Sequence, residues 1–226
     1  AVIFSATTEW RIACESLKPV EIHSSPFGEW CRIEVAPYSI IYFQGGWGKI
    51  SAAASAQYII DHWQPDLIVN LGTCGGFEDS GLQKGDVILA NETLVYDIIE
   101  QMDAPQDATH FYTTPLDISW LNEPLPHPVK ITRLISADRD ILPEDIPVLK
   151  EKYQAVAADW ESGAIAWVTN RNQKPCLILR GVSDLVNTNE GEAYGNFDLF
   201  VENTRRIIPA LIESLPSWLL RFYAQF

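Results

Sequence analysis

Two apolar runs constrain this chain more than any other feature: PDLIVNLG at residues 65–72 and PCLILRGVSD at 175–184. Each is a continuous stretch of Leu, Ile and Val, without the alternation of a half-exposed strand. A strand of that kind is buried on both faces. Around these runs the hydrophobic spacing switches repeatedly between strand and helix. AVIFSA, WCRIEVA, SIIYFQ, GDVILANETLVYDI and VKITRLISADR read as strands. TTEWRIACESL, EDIPVLKEKY and DWESGAIAWVTNRN read as helices. So does the segment after GGWGK, with Ala52, Ala53, Ala56, Ile59, Ile60 and Trp63 on one face. The pattern predicts one α/β domain over residues 1–226 with a mostly buried mixed sheet.

Two segments are less regular. Residues 103–128 are polar and rich in Pro and Thr, and read as a long loop. The C-terminal stretch from Asn196 reads as a helix with Phe197, Phe200, Val201, Thr204, Ile207 and Ile208 at helical spacing. Pro209 and Pro216 are expected to kink or divide it.

The net charge of −14 argues against nucleic acid and anionic membrane surfaces, which want clustered Lys and Arg. No apolar run approaches membrane length. The N-terminal AVIFSATTEW runs straight into a strand pattern and is too short and uncharged for a signal peptide. Cys14, Cys31, Cys74 and Cys176 form no CxxC pair and are expected as reduced thiols in the cytoplasm. His23, His62, His110 and His127 show no metal spacing, so neither a metal nor a cofactor is expected.

The motifs that carry chemistry lie between elements. VNLGTCGG, after the first buried run, reads as a glycine turn that brings backbone N–H groups close to a ligand. FQGGWGKIS fits no P-loop, because Phe43 and Ile50 stand where Gly and Ser or Thr are needed. For Gly45, Gly46 and Gly48, a tight turn allowing close helix packing is at least as good a reading as a ligand role. Glu161 sits among Ser, Gly, Ala and Trp on a helical face, where a charge must be paired or used. Asp184 and Ser183 close a core strand, and ligands of open α/β sheets bind beyond the carboxyl ends of strands. A turn or N-cap aspartate is the alternative there. Glu9 follows the first strand at a helix start.

The order SATTEW, GGWGK, NLGTCGG, KGDVI, SADRD, DWESGAIAW and LRGVSD resembles the purine nucleoside phosphorylase/uridine phosphorylase superfamily. Within it the chain is most similar to the 5′-methylthioadenosine/S-adenosylhomocysteine nucleosidases. The resemblance implies a single-domain three-layer sandwich, with a central twisted mixed β-sheet flanked by helices. It implies a purine nucleosidase that hydrolyses an N-glycosidic bond, and a homodimer in which a neighbouring subunit closes the pocket. By resemblance, Asp184 protonates or hydrogen-bonds the purine N7 with help from Ser183, Glu161 binds the ribose 2′- and 3′-hydroxyls, and Glu9 orients the attacking water. Thr73, Cys74 and Gly75 match the turn beside the ribose and base.

Phosphorylases of the superfamily hold phosphate with an arginine where this chain has Asn70. With an amide at 70 and Glu9 nearby, the turn is expected to face ribose and water. The chain departs from the nucleosidases at three places that match substrate contacts. Asp140, followed by Ile141, stands at the usual aromatic position against the purine. Trp160 replaces a methionine beside the sugar, and Trp47 replaces a small aliphatic residue near the 5′-group. A phosphate-dependent phosphorylase and a non-catalytic nucleoside-binding domain are the alternatives.

Overall fold

The computed structural model describes residues 1–102 and 106–225. Strands β1 (Val2–Phe4), β2 (His23–Ser24), β3 (Glu29–Val35), β4 (Tyr38–Gln44), β5 (Ile68–Phe77) and β6 (Val87–Val95) alternate with helices α1 (Thr7–Leu17) and α2 (Gly48–Trp63). Then come α3 (Gln106–Phe111), β7 (Thr113–Pro115), β8 (Lys130–Ser136), α4 (Ile146–Tyr153), β9 (Ala157–Asp159), α5 (Ser162–Arg171), β10 (Cys176–Val186) and α6 (Phe197–Tyr223). All ten strands belong to one mixed sheet. Besides pairing with β6, β10 runs parallel to β5, so five strands (β5, β10, β6, β8 and β9) close into a ring.

The continuous apolar runs follow from two covered faces. Along β5, Val69 and Leu71 point to one core, while Ile68 and Cys74 point to the other. Along β10, Leu177 and Leu179 alternate in the same way with Cys176, Ile178 and Val182. The first core lies under α1 and α6, and the second under α2 and α5. Small Ala52 and Ala56 of α2, and Ala164 and Ala166 of α5, pack within this second core. A third cluster joins α4 to Phe77, Leu94, Ile135 and Val186. This is the expected mixed sheet with helical layers on both sides.

Four local expectations need correction. The glycine-rich VNLGTCGG is no turn, because β5 runs through it to Phe77. Ser183 and Asp184 lie within β10, at an irregularity of its pairing with β5 between Val182 and Asp184. The two strands hold each other extended past the glycines, so Thr73, Cys74, Gly75, Ser183 and Asp184 sit on sheet, not on loops. The 103–128 stretch carries α3 and β7, the latter pairing with β6; residues 103–105 of that reading lie outside the described residues. Asp159, read as helical, belongs to the short β9, which pairs with β5 and β8.

Pro209 and Pro216 do not divide α6, which is one helix of 27 residues. An interior proline costs roughly 3 kcal/mol. Against that, Ile207, Ile208, Leu211, Leu215, Trp218, Leu219 and Phe222 are all buried on the sheet side. At about 1.5–3 kcal/mol per buried large side chain, packing outweighs both prolines. Phe197, expected on that apolar face, is instead 61% exposed. None of the described helices is long and apolar enough to cross a membrane.

Trp218 is among the largest fully buried side chains and sits in the core beneath α6. Trp218→Ala is expected to destabilise the fold by about 3–5 kcal/mol, the usual range for a buried Trp truncation. Urea denaturation measures this, and a loss within experimental error would refute the packing described for α6.

Candidate active site

A cavity of about 640 Å³ opens where β5, β10 and β9 run alongside the starts of α1, α2 and α5. Its wall contains all three carboxylates singled out in the sequence, Glu9, Glu161 and Asp184. Thr73, Cys74 and Gly75 enter from β5, and Ser183 from β10. Trp160 lies between β9 and α5, while Trp47, Asp140 and Ile141 complete the set. Asp140 and Trp47 are exposed and Ile141 is buried.

Glu9 is the third residue of α1 and is buried. Its Oε2 accepts from the Ala6 amide at 3.0 Å, which closes the helix start. Its Oε1 accepts from both the amide and the hydroxyl of Thr73, at 2.7 and 2.8 Å. A carboxylate offers about four acceptor sites. Three are taken, and one at Oε2 is left free of protein donors.

Asp184 accepts from the Ser183 hydroxyl at 2.6 Å through Oδ1. Burial pushes its pKa up, Glu192 and Asp140 push the same way, and the Ser183 bond and Lys84 oppose. Ser183 itself lines the cavity, and its backbone carbonyl accepts from Asn203 of α6.

Glu161 does not lie on the helical face, contrary to the reading of DWESG. It is the residue that caps α5, and its carboxylate accepts from the Gly48 amide at the start of α2. Burial drives its pKa up to about 8, aided by Asp159 and Glu9 and opposed by Arg180.

Asn70 is not a wall residue. It is fully buried beneath the cavity, with its amide donating to the Ile3 carbonyl and its Oδ1 accepting from Arg180. Arg180 is the residue that sequence reasoning missed, with Asp159 beside it; both line the cavity. The guanidinium is 1% exposed. Its Nε lies 3.0 Å from Asp159 Oδ2 and donates to the Ser162 hydroxyl, also at 3.0 Å. Nη1 donates to the Thr73 carbonyl and stands 3.9 Å from Glu9. Nη2 donates to Asn70 Oδ1 at 2.7 Å and stands 3.6 Å from Glu161. Asp159 is further held by the hydroxyls of Ser136 and Ser162. The signal was present in LILRGVSD: an arginine inside a fully buried strand must have carboxylate partners.

This cluster accounts for Gly72 of VNLGTCGG. A Cβ at Gly72 would stand 2.3 Å from Arg180 Nη1 and 2.9 Å from Glu9 Oε1. One at Gly75 would stand 2.9 Å from the Ile141 side chain. The glycines make room for an ion cluster and a wall contact rather than for phosphate. Among the described residues, no group of three His, Cys, Asp or Glu side chains could hold a metal ion.

The rest of the wall is aromatic and charged. Tyr194, Phe197 and Phe200 come from the β10–α6 connection and the first turn of α6, and Arg139 from the loop after β8. Tyr194 donates its hydroxyl to the Ile141 carbonyl across the cavity. Arg139 is paired with Asp145 and lies over the Tyr96 ring.

A family model described as the phosphorylase superfamily matches residues 9–215, and the chain belongs to that superfamily. The 5′-methylthioadenosine/S-adenosylhomocysteine nucleosidase of Tolumonas auensis is 26% identical over 227 residues, which span 95% of this chain and 98% of its own. That of Staphylococcus aureus is 29% identical over 191 residues, spanning 80% and 82%. Among solved structures, the 5′-methylthioadenosine nucleosidase of Arabidopsis thaliana in apo form superimposes with a TM-score of 0.80 at 21% identity, covering 95% and 93% of the two chains. The Neisseria meningitidis nucleosidase in complex with methylthio-immucillin-A gives 0.76 at 23% identity, covering 96% and 97%.

The raised pKa of Glu161 has a consequence for stability. The native chain holds a proton that the unfolded chain releases near the ordinary 4.5. This contribution to stability is complete below about pH 4.5 and is lost as the pH rises to about 8. Glu161→Gln cannot titrate, so its denaturation midpoint is expected to fall less than that of the wild type between about pH 5 and 8. Parallel midpoint curves for the two proteins would contradict the assignment.

Proposed function

We propose that this chain is a purine nucleosidase hydrolysing the N-glycosidic bond of a 5′-substituted purine nucleoside, such as 5′-methylthioadenosine or S-adenosylhomocysteine. One observation carries the reading: a single cavity holds two carboxyl groups in different surroundings. Asp184 is biased toward its protonated form, while Glu9 is held rigidly by three donors with one acceptor site to spare. The activity named for the relatives supports the same reading.

The chemistry follows from the reacting bond. Cleavage leaves the bonding pair on the purine and positive charge on the sugar. Protonated Asp184 gives its proton to N7, so the purine leaves without net negative charge. Ser183 holds Oδ1 and leaves Oδ2 for the base. Glu161 accepts from the ribose hydroxyls; these donors favour its ionised form and offset the effect of burial. That carboxylate and Glu9 stabilise the cationic sugar. A water on the free site of Glu9 attacks the anomeric carbon and yields its proton to that carboxylate. The products are free base and free sugar.

A phosphorylase needs a cation available to phosphate. Two cations line the wall: Arg180, whose N–H groups are engaged by Asp159, Ser162, Thr73 and Asn70, and Arg139, which is paired with Asp145. Asp159, Glu9 and Glu161 surround the Arg180 guanidinium, which leaves an incoming dianion no free partner there. The exposed Asp140, which stacks on nothing, is what favours a nucleoside-binding domain without turnover. Thr73, Cys74, Gly75 and Ile141 serve in our reading as the floor beside ribose and base, and Trp160 and Trp47 as the sugar and 5′-side walls. We also read Trp47 and Phe197, exposed at 62% and 61%, as surface covered by a second copy in a homodimer. The four unbridged cysteines favour a cytoplasmic setting.

Asp184→Asn is nearly isosteric and has no proton to give. Base release from 5′-methylthioadenosine, followed by chromatography, is expected to fall by about 10²-fold or more. Wild-type turnover in the variant would remove Asp184 from this role. Glu161→Gln is expected to impair substrates bearing both ribose hydroxyls far more than their 2′-deoxy analogues, because the analogue lacks a partner for the carboxylate. Equal losses in kcat/KM would make Glu161 a structural carboxylate.

A further inference from the structure

The GGWGK segment left one charged residue without a role. Lys49 follows directly on Gly48, whose amide donates to Glu161 Oε1 at 3.2 Å. The ammonium group of Lys49 is paired with Asp97, after β6, and stands 3.5 Å from Asp138, after β8. The two aspartates also grip backbone. Asp138 Oδ1 accepts from the Lys49 amide at 2.7 Å, and Asp97 Oδ2 accepts from the Asp138 amide at 2.9 Å. The result is a closed ring of charge-assisted bonds joining the first turn of α2 to the ends of β6 and β8. Lys49 and Asp97 are partly buried and Asp138 is exposed, and charge-assisted bonds of this kind are stronger than neutral ones.

The ring borders the cavity on two sides. Trp47 precedes Gly48, and Arg139 and Asp140 follow Asp138; all three line the wall. Gly48 has φ +75°, and a Cβ there would stand 2.8 Å from Asp138 Oδ1. The glycine therefore meets both the backbone and the space requirements of the ring. The ring holds the residue that follows Gly48, and the Gly48 N–H is a hydrogen-bond donor to the Glu161 carboxylate.

We propose that Lys49, clamped by Asp97 and Asp138, is a positioning residue that aims the Gly48 amide at Glu161 and so orients Glu161 for the ribose hydroxyls. The proposal rests on the nucleosidase reading above. Lys49 touches no substrate in it. Its effect passes through one carboxylate, so the loss on removing it tracks the ribose hydroxyls and not the purine.

Lys49→Met keeps the length of the side chain and removes the charge. With a purine ribonucleoside, kcat/KM is expected to fall about tenfold, the low end for a lost hydrogen bond to a charged group. With the 2′-deoxynucleoside the fall is expected to be under about threefold, because the contact being aimed is absent there. Lys49→Arg is expected to recover most of the ribonucleoside loss. In a Glu161→Gln background, Lys49→Met is expected to cost nothing further, since both changes act on one contact. Asp97→Asn gives a milder break of the same ring, with the same ribose-selective pattern, should Lys49→Met fail to fold. Equal losses on both substrates, or additive losses in the double variant, overturn the proposal while leaving a wild-type nucleosidase intact. A folded wild type that releases base from no purine nucleoside overturns the functional reading and this proposal with it.

Discussion

The site depends on one buried cation. Arg180 lies in the middle of β10, wholly removed from water, and a guanidinium there is tenable only with close anionic partners. Asp159 at the end of β9, Glu161 at the start of α5 and Glu9 in the first turn of α1 supply them. Without the arginine, three carboxylates would share a space of low dielectric and repel one another strongly. With it, they are drawn to fixed positions around a cavity. The interaction has a cost in fold design: β5 must carry Gly72 where the guanidinium passes, and Asn70 and Ser162 must occupy its remaining donors.

The same cation sets neighbouring acids in different surroundings. Glu9 lies against Arg180 and three hydrogen-bond donors, an environment suited to a carboxylate that holds water. Asp184 is four residues beyond Arg180 on β10, and burial, Glu192 and Asp140 favour its proton against the Ser183 hydroxyl bond. Glu161 sits between these situations, stripped of water yet facing both Arg180 and the Gly48 amide. In the proposed reaction these surroundings suit one acid to give a proton and another to hold water.

Much of this was legible in the sequence, for reasons that differ by residue. The sheet core was readable because Leu177, Leu179, Val69 and Leu71 leave no polar face to expose. Glu161 stood out as a charge among small apolar residues and Asp184 as a carboxylate at the carboxyl end of a core strand, and both line the cavity. Asn70 was readable as the absence of an arginine, but not as a ligand of one, because position 180 lies far away in the chain. The glycines were misread for a related cause. A glycine cluster suggests a turn when only neighbours along the chain are considered, whereas here a side chain from the adjacent strand demands the space. The prolines of α6 misled in the same way: local propensity forbids what long-range packing of Ile207, Leu211, Leu215 and Trp218 secures.

The central claim is that the buried arginine is neutralised by its own carboxylates and unavailable to phosphate, so that water is the nucleophile. The direct measurement is the sugar product formed from 5′-methylthioadenosine with and without inorganic phosphate, identified by mass spectrometry. The account predicts free 5-methylthioribose in both buffers, formed at the same rate. Base release that requires phosphate and yields a sugar 1-phosphate would contradict it.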